Sequence, residues 1–151
     1  MKGKIFNIQE VEAIIAGKKT MFRELIKKPL AHFNNITINQ DGEVSAYNKT
    51  RGWYEDLKNI KCPYKVGQEI FVALKMPKWA SRLTLRIKSV KVERLQYISE
   101  EDAIKEGVPY EGGCEVPSIT FKMIWNSTHK KQEEKWEANP WVFVYGFEVI
   151  K

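Results

Sequence analysis

Three groups of residues carry side chains that can do chemistry. The first is basic: Lys75, Lys78, Arg82, Arg86, Lys88, Lys91 and Arg94 fall within twenty residues, with Glu93 the single acid among them. Side chains alternate between faces along a strand, so Arg82, Thr84, Arg86 and Lys88 share one face while Leu83, Leu85 and Ile87 point to a core. A ladder of cations spaced in this way can contact phosphates, and Trp79 beside it can stack on a base. The same pattern also describes a solvated strand face with Trp79 plugging the end of a barrel, and the residues alone leave both readings open.

The second group is Gly17-Lys18-Lys19-Thr20-Met21-Phe22-Arg23, where a helix-ending glycine is followed within six residues by three cations and a hydroxyl. Backbone donors freed at such a turn, with Lys19 and Arg23 beside them, can bind a phosphate or polarise a carbonyl. The spacing of a P-loop is absent, and an ordinary surface turn fits the composition as well. The third is Glu106, at the end of a helix whose other acids crowd its beginning. A carboxylate there meets the negative end of the helix dipole, an unfavourable place unless a cation compensates or the function requires it. A lysine paired with a carboxylate in a cleft can do acid–base or carbonyl chemistry, but spacing alone does not bring Lys19 to Glu106.

Other chemistries find little support. His32 lies in a polar, irregular stretch and His129 in a polar run, so both are expected at the surface, outside any Ser/His/Asp or Cys/His arrangement. Cys62 and Cys114 are too few for a disulfide framework and, with two histidines, form no metal-ligand spacing. No metal site is expected, and without a Gly-x-Gly-x-x-Gly motif no dinucleotide cofactor either.

These side chains need elements to position them. Asn7 and Glu10 form a capping signature for a short helix carrying Val11, Ile14 and Ile15, which Gly17 ends. Met21 to Ile26 reads as a strand, ended by Pro29. From Ala31 to Lys61 a turn at Asp41-Gly42 joins two alternating runs, Ile36 to Asn39 and Val44 to Tyr47, as in an exposed hairpin or insertion. Glu69 to Leu74 predicts a strand buried on both faces. Leu83 to Arg94 predicts a curved strand, because its apolar phase shifts at Val90 and Val92 as a bulge requires. Ser99 caps a helix with three acids in its first turn, stopped by Gly107 and Pro109. Ser118 predicts a second cap, with Phe121, Ile124 and Trp125 on one side and a loop or frayed end from Asn126 to Glu134. Trp141 to Ile150 is the clearest strand.

A chain of 151 residues is one domain, with 43% hydrophobic residues to build a core. It lacks a long apolar run or a signal-like start, so a cytoplasmic chain with no membrane attachment is expected. Its net charge of +6 suggests an anionic partner. Residues 1 to 91 hold 18 Lys/Arg against 8 Asp/Glu and residues 92 to 151 hold 7 against 11, which favours a localised anion-binding face. Several strands, short helices and no βαβ repetition predict a mixed α+β, mainly β fold, a small barrel with short peripheral helices.

Taken in order, Ile14 to Arg23, Cys62-Pro63-Tyr64 with Gly67, Met76-Pro77-Lys78-Trp79-Ala80-Ser81-Arg82, Leu95 to Gly107 and Asn139-Pro140-Trp141-Val142 resemble the ASCH family of PUA-like domains, nearest its phage- and prophage-borne members. The likeness covers most of residues 1 to 151 as one domain and leaves out an inserted or variable segment at about 31 to 60. It implies a PUA-like pseudo-barrel with a cleft for RNA or a nucleotide derivative, lined by Lys19, Thr20, Arg23, Lys78, Trp79, Arg82, Arg86 and Glu106. Some relatives are acetylcytidine amidohydrolases, and one is reported as a ribonuclease; the resemblance puts their catalytic lysine on Lys19 and glutamate on Glu106. Their threonine falls on Phe22, which supplies no hydroxyl. A phage accessory protein that binds a host protein through Phe33, Tyr47, Trp53 and Tyr54 is a further alternative.

Overall fold

The structure is a computed structural model that describes residues 2–27, 35–39, 41–48, 53–73, 83–110, 112–113 and 115–150. Strand β1 (Lys2–Ile5) leads to helix α1 (Ile8–Ile15), then β2 (Met21–Leu25), β3 (Asn35–Ile38), β4 (Glu43–Asn48), β5 (Trp53–Lys61), β6 (Glu69–Ala73) and β7 (Thr84–Arg94). Helices α2 (Glu100–Lys105) and α3 (Pro117–Thr128) precede the last strand, β8 (Trp141–Val149). Five strands form a mixed sheet in the order β1-β6-β7-β8-β2, with β1 parallel to β6, and β3-β4-β5 form a second, antiparallel sheet. The fold is mainly β with short helices, as expected, but the barrel is not a closed ring. Among the described residues no helix is long and apolar enough to cross a membrane.

β8 organises the layers because both of its faces are buried. Trp141, Phe143, Tyr145 and Phe147 point into the larger core, with Phe22, Ile70, Leu85 and the second sheet's Ile36, Val44, Ala46 and Ile60. Val142 and Val144 point the other way, into a core closed by Leu95, Ala103, Phe121 and Trp125. Full burial of a side chain of this kind contributes roughly 1.5–3 kcal/mol. The near-continuous apolar run of β8 is what such a position selects.

The residues from 35 to 61 correct the expectation of an exposed hairpin. The Asp41-Gly42 turn is present, with Gly42 in the left-handed region at φ 81°, but a third strand follows. Ile36, Val44, Ala46 and Ile60 are buried. The segment is part of the core, so removing it exposes that core and does not isolate a partner-binding surface. Phe33 lies outside the described residues, as do the side chains of Tyr47, Trp53 and Tyr54. β6 is another correction: Ile70 and Val72 are buried while Phe71 and Ala73 are only half-buried. The ring of Phe71 lies over its register partner Gly3, where an added Cβ would come within 2.5 Å of it.

The phase shift in β7 is a bulge between Ile87 and Ser89, with Lys88 the extra residue. Opposite it stands Gly146, whose added Cβ would lie 2.5 Å from Ser89 Oγ. The capping box of α1 is as read, with Asn7 Oδ1 accepting from Glu10 N and Glu10 Oε2 accepting from Asn7 N. Ser99 caps α2 through Asp102 N.

α3 departs from expectation. Its N-cap is Val116, with Pro117 in the first turn, and Ser118 caps nothing. Instead Ser118 N and Oγ both donate to the Glu100 carboxylate, at 2.9 and 2.5 Å. Ile124 is 46% exposed and does not share the buried side of Phe121 and Trp125. The helix continues to Thr128, and His129 is half-buried, its ring stacked 3.8 Å from that of Trp125.

The Ser118 hydrogen bonds hold the Glu100 carboxyl below the usual glutamate range. A carboxyl lowered on folding stabilises the fold above its unfolded pKa, and that contribution is lost as pH falls through the folded value. Glu100→Gln should therefore melt below the wild type at neutral pH, and the gap should close in acid; thermal melts from pH 7 to pH 3 check this.

Candidate functional site: a lysine-lined cleft above a buried ion-pair network

The site begins where α1 ends. Gly17 adopts φ 74°, and the N–H groups of Lys18 and Lys19 both donate to Ala13 O, at 2.8 and 3.1 Å, turning the chain into β2. Lys19 then pairs with Glu106 as an isolated antiparallel bridge. Thr20 N donates to Lys105 O at 2.8 Å, and Phe147 N donates to Thr20 O at 3.0 Å. The end of α2 is thereby tied to the start of β2, which is tied in turn to β8. Gly107, at φ 92°, makes the approach possible: a Cβ there would stand 3.0 Å from Lys19 Cβ.

Strand alternation sorts the side chains. Met21 and Leu25 pack against the helix-side core, and Arg23, at matching spacing, lies on the same face beneath α2. Its Nη1 donates to Glu106 Oε1 at 2.5 Å and its Nη2 to Glu93 Oε1 at 2.7 Å, with Asp102 Oδ2 3.7 Å away. Lys19 Nζ donates to Glu106 O at 2.7 Å and to Glu106 Oε2 at 3.3 Å. Lys91 completes the set, 3.5 Å from Glu93 and 3.6 Å from Asp102. Three cations thus face three carboxylates, and at the centre only 1% of the Arg23 side chain is exposed. Buried ions are tolerated when each is paired and hydrogen-bonded. The Lys19 contact also places a cation on a carbonyl at the end of α2, where the helix dipole favours one.

Phe22 takes the opposite face. Its ring stacks on Tyr145 at 4.7 Å and meets Phe6 and Tyr64 edge-on. Burial pushes the Tyr64 phenol up to about 12, the Tyr145 phenol higher still, and the Cys62 thiol up as well. None of these three is ionised at neutral pH, so the core beside Phe22 holds no ready nucleophile.

Above the network opens a cleft of about 880 Å³ between the end of α1, the end of α2 and the β7–β8 bulge. Lys19, Lys88 and Lys105 line it with the hydroxyls of Thr20 and Ser89, against one carboxylate, Glu148. Ile14, Ile15, Leu83 and Val149 form an aliphatic wall.

Of the residues expected at a site, Lys19 and Thr20 line the cleft, and Glu106 stands directly behind Lys19. Arg23 does not reach the cleft. Arg86 lies outside it on the strand surface, its guanidinium 3.3 Å from both Glu69 and Glu148. Lys78, Trp79 and Arg82 lie outside the described residues. Sequence reasoning missed Lys105, Ser89 and Asp102. Glu93 carried a signal: a lone acid in a basic run needs a cationic partner, and it has Arg23 and Lys91.

No family model matches the sequence, and no curated protein does. Among solved structures, an ASCH domain from Lactobacillus crispatus JV V101 aligns over 98% of this chain and 78% of its own, with a TM-score of 0.55 at 15% identity. A DUF984 protein from Enterococcus faecalis V583 aligns over 99% and 81%, with a TM-score of 0.54 at 13% identity. The chain has the ASCH fold. In this ASCH fold the turn after α1 and the end of α2 meet through Lys19 and Glu106, while Phe22, in the position the resemblance gives to a threonine, belongs to the core.

Two substitutions test the division between network and core. Arg23→Met removes the central cation and leaves Glu106 to Lys19 alone and Glu93 and Asp102 to share Lys91, and should cost about 3–5 kcal/mol, read from urea unfolding. Phe22→Thr restores a hydroxyl but empties an aromatic site, and should cost about 3–5 kcal/mol by the same measurement.

Proposed function

We propose that this ASCH-fold protein binds RNA or a nucleotide derivative in the cleft above Lys19. The observation that carries the reading is the lining: three lysines and two hydroxyls against one carboxylate, facing an aliphatic wall. Lysines and hydroxyls suit phosphate and sugar oxygens, and the aliphatic wall suits the face of a base. The generally RNA-binding character of PUA-like domains supports the same direction.

Hydrolysis of a modified nucleoside is a second reading, favoured by the 3.3 Å contact between Lys19 and Glu106. Two considerations put binding first. Both Glu106 oxygens already accept from cations, and Phe22 offers no hydroxyl.

Titration of a fluorescent single-stranded RNA, with matched DNA, at several salt concentrations tests the proposal. Binding should weaken with salt. Lys88→Ala/Lys105→Ala should lose at least about tenfold in affinity, because the cleft keeps only one of its three cations, whereas Arg86→Ala should stay within about twofold of the wild type. Wild-type affinity in the double variant would show that the ligand lies elsewhere.

A further inference from the structure

The charges on β7 narrow the ligand class. Read along the chain, the strand is a ladder of cations fit to track a polyanion; in the fold, three of its four cations, Arg86, Lys91 and Arg94, are already engaged. Arg86 lies between Glu69 and Glu148, Lys91 between Glu93 and Asp102, and Arg94 donates to Asn139 O with its guanidinium 4.4 Å from the centre of the Trp141 ring. A nucleic-acid strand following β7 would have to displace these partners at each step. The cleft differs. Lys105 is exposed and forms no salt bridge among the described residues. Lys88 is held only loosely, 3.9 Å from Glu148. Lys19 is only 4% exposed and gives two of its three ammonium hydrogens to Glu106, so Lys88 and Lys105 are the cations that a ligand meets. That is cationic capacity for about one phosphate group.

The rest of the lining is largely apolar. Ile15 is 70% and Val149 45% exposed at the cleft, which leaves aliphatic surface there that a base can cover. The cleft volume of about 880 Å³ lies within the roughly 300–1,000 Å³ range of small-molecule sites. We infer that the cleft is built for a nucleoside monophosphate, a single phosphate against the lysines with one base over the aliphatic wall, and not for an extended strand. The inference rests on the binding function proposed above and narrows it.

Calorimetric titration separates the two. The probes are the four nucleoside 5′-monophosphates, the matching nucleosides, inorganic phosphate and a twelve-nucleotide RNA. At least one monophosphate should bind within about threefold of the RNA, with a salt slope of about one. Its nucleoside and inorganic phosphate should each bind at least about tenfold more weakly, since each keeps only one of the two contacts. Lys88→Ala/Lys105→Ala should abolish the preference for the monophosphate over the nucleoside. RNA binding at least about tenfold tighter than every monophosphate, with a slope of about three or more, overturns the inference and leaves the RNA reading standing. No binding by any of the nucleic-acid probes overturns both.

Discussion

Arg23 is a permanent cation with almost no access to water, and the region around it is arranged to neutralise it. β7 contributes Glu93, and α2 contributes Asp102 and Glu106. Because an arginine cannot shed its proton at any relevant pH, these carboxylates must come to it. Bringing them there fixes α2 on the helix face of the sheet, and that fixes Glu106 behind Lys19. The cleft residue is thus placed by a group that does not itself face the cleft.

The network sits between two apolar constraints. β8 buries alternating side chains in two cores, so its register with β2 and β7 cannot slip by one residue without exchanging Phe143 and Tyr145 for Val142 and Val144. The bulge at Lys88 changes the phase of β7 beside the ends of α1 and α2. There Gly146 and Ser89 lie close together, and the surface opens into the cleft. Cleft position follows from the bulge and from the two helix ends that meet beside it.

Local signals were legible in the sequence. The capping box at Asn7, the cap at Ser99, the stops at Gly17 and Gly107 and the phase shift after Ile87 are all written in neighbouring residues. The ASCH likeness, noticed from short segments, agrees with the solved structures of that fold. Glu106, a carboxylate at the wrong end of a helix, called for either a compensating cation or a functional reason, and the structure sets Lys19 and Arg23 against it. What eluded the sequence depended on partners far along the chain. Arg86 reads as an available cation until Glu69 and Glu148 are brought beside it. Ile36 and Val44 read as an exposed hairpin until a third strand and the large core close over them. Ser118 reads as a cap, although its hydroxyl serves Glu100 from the preceding helix.

The second sheet also bears on how such a chain can diverge. It is committed to the core through Ile36, Val44, Ala46 and Ile60, and although Asp41 in the β3–β4 turn is exposed, a Cβ on the neighbouring Gly42 would lie 3.8 Å from Cys62 Cβ. Drift in sequence is therefore constrained along the buried face, where a change in one strand asks for a matching change in β7 or β8. A stretch that looks hypervariable when read as a string would conceal a small set of covarying positions, spaced two apart, that keep the two sheets in register with each other.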